Sequence, residues 1–246
     1  MGKLQAFYYM FKGEKWYNSI ISGTLIFIPL FLTSSILLKE DPTREFSTFM
    51  TLSVIRWTCW FLVMFFINGY CLFNANQRLF SLTQNTASWL KLKDITKAGI
   101  KFWGAHWLYS IPLFWILAIL FFQYTTSISN GISISEHHIT YSLATKYCNV
   151  IAIFIGMLIP IAFVSDLKFK TLFNIKRICA IIKNNFIGFL IYIIIATIDI
   201  YGLQHLQNLT MHTPVVTIPC ASFLAYYIML IKSDFLAQLN KNSTIK

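Results

Sequence analysis

The sequence predicts an all-α polytopic membrane protein, and three observations carry that prediction. Of its 246 residues, 57% are hydrophobic and only 12% are charged, about half the charged fraction of a soluble domain. Apolar runs of about 20 residues recur, which is the length of helix that crosses a bilayer. The 20 Lys and Arg residues lie mostly between those runs, so we interpret the net charge of +11 as a topology signal and not as a nucleic-acid-binding surface.

Six apolar runs predict six transmembrane helices within one integral membrane domain, residues 1–246. The predicted spans are residues 16–38, 49–73, 102–122, 147–165, 186–203 and 215–231. Trp and Tyr residues near several of these ends are typical of the aromatic belt at a membrane interface. The first run is longer than a signal-peptide core and has no small-residue cleavage site after it, so we expect it to be a retained span.

The loop charges predict the orientation of the chain. Sixteen of the 20 Lys and Arg residues fall on the side that holds both termini, and three fall on the other side. The positive-inside rule then places both termini in the cytoplasm. We expect a bacterial inner membrane, with an organelle membrane as the alternative.

Two of the basic loops contain amphipathic patterns, at about residues 89–101 and 167–183. Apolar residues recur there at three- and four-residue steps with basic residues between them, which is typical of helices lying on a membrane surface. Because each pattern is flanked by two spans, the sequence indicates a weak internal pseudo-repeat. The residues expected to bind anionic lipid headgroups are Lys91, Lys93, Lys97, Lys168, Lys170, Lys176, Arg177 and Lys183.

Prolines lie inside three predicted spans, at Pro29, Pro112 and Pro160. Each removes a backbone hydrogen bond and tends to kink a helix. A hinge or a substrate site is one interpretation of these positions. The other, which we favour, is a static kink filled by neighbouring helices, since membrane helices tolerate proline.

Two charged residues lie within predicted spans, Arg56 and Asp199. Each alone would cost about 3 kcal/mol at the bilayer centre. Because the span boundaries place both residues toward the non-cytoplasmic side, we predict an Arg56–Asp199 ion pair that joins the second and fifth spans. A proton or ion pathway and simple snorkelling of both side chains are the alternatives.

The remaining polar residues give no catalytic or metal-binding pattern. Asn68 and His106 lie in predicted spans and are expected to hydrogen-bond across helices. His137 and His138 are adjacent, so they point apart and rarely bind one metal. The five cysteines form no metal-binding spacing. We therefore predict no cofactor, no metal and no enzymatic activity.

One pattern carries a resemblance to a known family. A span ends in Asn-Gly-Tyr with an arginine soon after, then come Trp, Asp and Gly, and Tyr-x-x-Pro follows in the next span. The residues in this pattern are Asn68, Gly69, Tyr70, Arg78, Trp89, Asp94, Gly99, Tyr109 and Pro112. It resembles a prokaryotic membrane protein family catalogued as domain of unknown function 4013, over about residues 16–235, with Pro160 and Asn185 also in place. The family usually has proline where Ser88 stands here.

That resemblance implies a polytopic fold of about six helices and adds no activity and no catalytic residue. From the residues themselves we expect a non-enzymatic subunit, assembly factor or accessory factor of a membrane complex. The expected partners are anionic lipids and other membrane subunits, with no nucleic acid. The alternative is a small transporter or channel-like protein for a lipid or another hydrophobic substrate, since a polar substrate would need a polar path.

Overall fold

The computed structural model describes residues 11, 16–37, 46–80, 91–129, 134–210 and 214–244, and within these ranges all regular structure is helical. A 3₁₀ turn, Phe169–Phe173, lies between α4 and α5. The α-helices are α1 Trp16–Leu37, α2 Phe46–Phe80, α3 Leu92–Ser129, α4 Ile134–Phe163, α5 Ile175–Asn184, α6 Phe186–Thr210 and α7 Pro214–Thr244.

Four helical segments in the described part of the chain are long and apolar enough to cross a bilayer. They are Leu92–Thr126, Thr140–Phe163, Phe186–Thr210 and Val216–Lys241, which belong to α3, α4, α6 and α7. The all-helical prediction is therefore confirmed for the described residues, and four helices are long and apolar enough to cross a membrane. The six spans stay a prediction.

Helix directions follow from the cross-helix contacts. Tyr70 of α2 contacts Tyr226 of α7, Asn74 bonds Ser233, and Arg78 bonds Asp234. From one pair to the next, the residue number increases in both helices, so α2 and α7 run parallel. The helix α6 precedes α7 across a three-residue connection and runs antiparallel to it.

The helix α7 is the centre of the bundle, because it packs against α1, α2, α4, α5 and α6. Half of its membrane-spanning window is buried. Its buried residues include apolar ones such as Tyr226 and Leu236 and also polar ones, Ser233, Asp234 and Asn240.

Three sequence predictions about helix boundaries need correction. The predicted C-terminal tail is the last part of α7, which continues to Thr244. The predicted surface helix at 89–101 is not separate: from Leu92 onward it is the first part of α3, and residues 81–90 lie outside the described ranges. The predicted helix at 167–183 is a 3₁₀ turn followed by α5.

These differences have local causes. Asn174 caps α5, since its side chain accepts a hydrogen bond from the Arg177 backbone N–H at 3.0 Å. Asn185 caps α6 in the same way through Gly188 at 3.2 Å. In α3 no such cap separates residues 92–101 from the rest of the helix, so the two segments of the predicted repeat differ in structure. The predicted pseudo-repeat therefore finds no counterpart in these two segments.

The segment between α4 and α5 is fixed to the helix ends around it. Asn240 of α7 donates to the Ile161 carbonyl at 2.7 Å, and Asn76 of α2 donates to the Val164 carbonyl at 2.6 Å. Lys101 of α3 reaches the Leu167 carbonyl at 2.7 Å. These bonds satisfy backbone groups that a helix end leaves open. We call this end of the bundle, formed by residues 91–101 and 164–185, the basic end.

Two glycines bring α2 and α3 into backbone contact. A Cβ atom on Gly69 would overlap the Ile95 carbonyl oxygen and lie 3.0 Å from the Gly99 nitrogen. A Cβ atom on Gly99 would lie 2.7 Å from the Phe65 carbonyl oxygen. Small residues at a membrane helix interface allow such close approach, so these glycines set the α2–α3 distance that positions the site below.

Candidate functional site

Five helices, α2, α3, α4, α6 and α7, enclose a cavity of about 250 Å³. Asn68, His106 and Asp199, which the sequence marks as polar residues within spans, all line it, and so does Pro160. The structure thus brings residues that are far apart in the chain to one place. We call this space the central cavity.

The charged pair in this cavity is Asp199 of α6 with Lys232 of α7. The Lys232 ammonium donates to Oδ2 of Asp199. The Asp199 side chain is 8% exposed and the Lys232 side chain is 16% exposed, so both charges are largely buried. Asp199 is 13 residues from Phe186 and 11 from Thr210, about 20 and 16 Å along the helix. It therefore lies near the middle of α6.

From the sequence, Arg56 is the expected partner of Asp199, and both are expected near one membrane face. The structure gives Asp199 a different partner, Lys232, and α6 continues seven residues beyond the predicted span end at residue 203. Arg56 lies in α2, 15 residues before Cys71, or about 22 Å along the helix, and its side chain is outside those described. The Cys71 thiol lies 3.9 Å from the carbonyl of Met229, three residues before Lys232, so Asp199 lies near the level of Cys71 and farther from Arg56 along the bundle than the predicted span boundaries indicate.

The cavity runs along α6 from Tyr192 to Gln207, about 22 Å at 1.5 Å per residue. At the end nearer the basic end, its walls are the buried residues Tyr192, Met157 and Leu236. The Tyr192 hydroxyl donates to the Met157 carbonyl at 3.0 Å, which ties α6 to α4. At the other end Gln204 is exposed. The lining is therefore buried at the end nearer the basic end, which we call the closed end, and includes an exposed side chain at the opposite end, which we call the open end.

A second layer of polar contacts lies between the cavity and the basic end. Asn74 donates to Ser233 at 2.8 Å, and the Ser233 hydroxyl donates to the Cys71 carbonyl at 3.0 Å. Arg78 donates through Nε and an Nη to the same oxygen of Asp234, at 2.9 and 2.5 Å. These bonds join α2 to α7 and reinforce the closed end.

Gln238 completes this layer, since its amide donates to the other carboxylate oxygen of Asp234 at 2.6 Å. Both oxygens of that buried carboxylate therefore accept hydrogen bonds. Charge-assisted bonds of this kind are about twice as strong as neutral ones, so α2 and α7 are firmly joined here.

His106 lies between the central cavity and a second one. Its ring stacks on Phe102, with centroids 6.1 Å apart, and meets Trp103 edge-on at 5.5 Å. A Cβ on Gly156 would lie 3.5 Å from its Nδ1, so the ring fits against α4 where α4 has no side chain. In the described part of the protein Nδ1 is buried without a hydrogen-bond partner, whereas the sequence analysis expects a cross-helix bond. Leaving such a group unpaired costs about 1 to 3 kcal/mol.

The second cavity has a volume of about 350 Å³ and lies between α2, α3 and α4. Trp103 and His106 line both cavities. Farther along α3, Ser110 lines the second cavity and is buried, and its hydroxyl also has no partner among the described residues. We call this space the lateral cavity.

The residues expected to bind lipid headgroups lie around the basic end. All are exposed except Arg177, which is half-buried. Lys91 also lies over the Phe73 ring, 5.8 Å from its centroid. On α5 the opposite face is buried through Ile178 and Ile181, so the amphipathic character predicted for this segment is present. Whether the basic residues bind lipid stays a prediction.

The three predicted kink prolines lie inside continuous helices, in α1, α3 and α4. Pro29 and Pro112 are exposed, whereas Pro160 is buried in the cavity wall. A further proline, Pro219, lies inside α7. Of the predicted positions, only Pro160 is part of the site.

The composition of the central cavity wall resembles that of a binding site. Among the described residues, no group of three His, Cys, Asp or Glu side chains is placed to hold a metal ion. The side chains of His137 and His138 lie outside the described set, although their backbone belongs to α4. What remains is a largely apolar space with one ion pair and a few amide and hydroxyl groups, which is the composition of a small-molecule binding site.

Sequence reasoning missed Lys232 because it directly follows the sixth apolar run and was counted with the cytoplasmic tail. A signal was present: the sequence KSDFLAQLN, residues 232–240, repeats polar residues at Lys232, Ser233, Asp234, Gln238 and Asn240, between apolar ones. In α7 most of these side chains face the other helices, since Ser233, Asp234 and Asn240 are buried. A polar segment at the end of an apolar run can therefore be core and not tail.

The residues of the family resemblance contribute to packing as well as to the cavity. Asn68 lines the central cavity, Gly69 lies at the close contact with α3, and Tyr70 contacts Tyr226. Farther along α2, Arg78 binds Asp234. The resemblance itself stays a prediction. No protein-family model, no curated protein and no solved structure matches this chain.

Proposed function

We propose that this protein is a small, non-enzymatic membrane carrier that binds a largely apolar molecule with a charged or polar group in the central cavity and moves it across the bilayer. This is the second of the two functions expected from sequence. The observation that carries it is the Asp199–Lys232 pair in the wall of the largely apolar central cavity.

The pair needs a functional explanation because it adds little to stability. Removing two charges from water costs several kcal/mol per ion, and apolar side chains of similar size are often equally stabilising in such positions. Ionisable residues within membrane helices typically face a pathway or a partner. Asp199 and Lys232 have both surroundings, since each is the partner of the other and both line the central cavity.

The cavity walls indicate the class of ligand. Apart from the ion pair, the polar groups at the wall are few, and most of the lining is Leu, Ile, Met and aromatic side chains. An apolar body would therefore lie along α6, and a charged head group would compete for Lys232 if anionic or for Asp199 if cationic. Such a molecule avoids the need for a fully polar path.

The proposal includes the arrangement in the membrane. We place all six long helices, α1 to α4, α6 and α7, across the bilayer, with the basic end and both termini on the cytoplasmic side, where exposed Lys and Arg residues bind anionic headgroups. The open end of the cavity would then face away from the cytoplasm. Carriers expose a central site to one side at a time, and the Asn74–Ser233 and Arg78–Asp234 contacts would have to open for release.

Two probes with permanent charges test this proposal, decanesulfonate and decyltrimethylammonium. For the protein in phosphatidylcholine nanodiscs, we expect one of them to raise the thermal unfolding midpoint. In proteoliposomes the same probe should cross faster than in protein-free vesicles. The effect should be lost in Lys232→Met if the anion binds and in Asp199→Asn if the cation binds.

The matched control is Thr58→Ala, since Thr58 is exposed on α2, its hydroxyl donates to the Val54 carbonyl, and it is not among the residues that line the central cavity. This variant should behave as wild type toward both probes. If neither probe binds to or is moved by the wild-type protein, the proposed ligand class is wrong.

A second candidate function, the membrane-complex subunit expected from sequence, rests on α3. Only 11% of its span is buried, against 50% for α7, so a large apolar surface is available to another subunit. The mass of the particle extracted in mild detergent would decide. Defined co-purifying polypeptides would favour the subunit, and a lone chain would favour the carrier.

A further inference from the structure

We propose that the lateral cavity is a second binding site, for a neutral lipophilic molecule that carries a carbonyl oxygen. Trp103 and His106 border both cavities, but the other lining residues differ and the ion pair belongs to the central cavity. The proposed site does not depend on the proposed carrier function, because the evidence comes from a different set of contacts.

The first line of evidence is a row of unpartnered polar atoms. Trp103 Nε1, His106 Nδ1 and Ser110 Oγ are buried and have no hydrogen-bond partner among the described residues. Their positions are three and four residues apart, so the three residues share one face of α3. All three line the lateral cavity. Buried polar groups are normally hydrogen-bonded, so three unpaired ones along one cavity indicate a missing partner.

The chemistry of these atoms defines that partner. An indole N–H only donates, and a serine hydroxyl can donate as well. The missing group must therefore offer acceptor oxygen. A carbonyl oxygen accepts hydrogen bonds and carries no proton, so it suits a site whose unpaired groups can donate, and it can be held by either the Trp103 indole or the Ser110 hydroxyl.

The described walls favour a neutral ligand. Among the described side chains, no Asp, Glu, Lys or Arg lines the lateral cavity, in contrast to the central one. The lining is mostly aromatic and aliphatic, with Phe61, Trp107 and Phe114 among the lining residues. A charge would therefore be desolvated here without a counter-charge, whereas a neutral ketone or ester would lose little.

The route of entry is lateral. Trp107 and Phe114 are both 53% exposed, and they stand on the outer surface of α3 in the middle of its apolar span. In a bilayer that surface contacts lipid, so the occupant arrives from the membrane and not from water. At about 350 Å³ the space is at the lower end of the range for small-ligand pockets, which fits an aromatic ketone with a short chain.

The test uses benzophenone carrying a hexyl chain, since its carbonyl is both the expected acceptor and the photoreactive group. The full-length protein in phosphatidylcholine nanodiscs is irradiated and the labelled peptides are mapped. We expect labelling of the α3 and α4 segments that line the lateral cavity. At least one of Ser110→Ala and Trp103→Phe should weaken labelling about two- to tenfold, the factor that one hydrogen bond contributes to affinity.

Three controls separate the site from its surroundings. Ala152→Leu fills the cavity and should block labelling while leaving thermal stability unchanged or higher. Thr125→Ala, on the same helix but outside the lining, should leave labelling unchanged. Gln204→Ala should also leave it unchanged, because that exposed side chain lines the central cavity only.

A competitor identifies the contribution of the carbonyl. Hexyl-diphenylmethane has the same apolar body without the oxygen and should compete several-fold less well than the unlabelled ketone. Equal competition, labelling spread evenly over the lipid-facing helices, or unchanged labelling in both Ser110→Ala and Trp103→Phe would each overturn the proposal.

Discussion

The helices α3 and α7 are of similar length but opposite character. Half of the α7 span is buried and its buried face includes Ser233, Asp234 and Asn240, whereas only 11% of the α3 span is buried and Trp115 and Phe122 stand out from it. In a soluble protein this would be an inverted arrangement. In a bilayer it is expected, because lipid is as apolar as a protein core and association relies on polar contacts and close packing.

The comparison teaches where sequence changes should matter. Replacing the polar residues of α7 should disturb contacts that hold the bundle together. Truncating apolar side chains on the exposed part of α3 should matter less, because in a bilayer those atoms contact lipid and not another helix. Both cavities border α3: the lateral cavity lies between α2, α3 and α4, and the central cavity is also lined by α6 and α7. Four measurements test this ordering.

The largest effect is expected at the ion pair. Asp199→Ala leaves the Lys232 charge buried and unpaired, and loss of one partner of a buried pair costs about 3 to 5 kcal/mol. The double variant Asp199→Asn with Lys232→Met removes both charges and should recover most of that loss. Thermal unfolding of the protein in nanodiscs measures both. Equal losses of stability in the single and double variants would show that the unpaired Lys232 charge is not the cause of the destabilisation.

A smaller loss is expected at the layer that closes the cavity. Asp234→Asn keeps the size of the side chain and removes the charge that Arg78 binds, so we expect about 2 kcal/mol less stability, within the range for hydrogen bonds to charged groups. Gln238→Ala removes only the second, neutral donor and should cost less. If the two variants reverse this order, the Arg78 contact is not the principal one in this layer.

The next effect concerns the α2–α3 contact. Gly69→Ala places a methyl group against the Ile95 backbone, which cannot move aside as a side chain could. Overpacking of this kind costs about 1 to 3 kcal/mol. The matched control is Gly202→Ala in α6, where a Cβ atom meets nothing within 4 Å and alanine should stabilise the helix by about 0.5 to 1 kcal/mol. Opposite signs in the unfolding midpoint are expected, and a neutral Gly69→Ala would contradict the close approach.

The smallest effect is expected on the exposed part of α3. Trp115 is 67% exposed, so Trp115→Ala should change stability by no more than about 0.5 kcal/mol, as at other exposed positions. The measurement is the same unfolding midpoint, made on the isolated chain and on the particle as extracted. A large loss only in the extracted particle would show that another subunit covers α3.

The sequence by itself was sufficient for the class of protein and for the list of unusual residues. Composition and apolar run length predict membrane helices because both report directly on what a bilayer accepts. Asn68, His106, Asp199 and Pro160 stand out in the sequence for the same reason, and the structure places all four in one cavity wall.

Only the tertiary structure decided which residues meet. The partner given to Asp199 depends on where α6 ends and on the register between α6 and α7, and a shift of seven residues at a helix end moves a side chain by about 10 Å. Lys232 looked like the start of a tail because hydropathy averages along the chain and cannot detect a counter-charge on another helix. Likewise, no local pattern reveals that Trp103, His106 and Ser110 border an unfilled space, since a cavity is a property of three helices together.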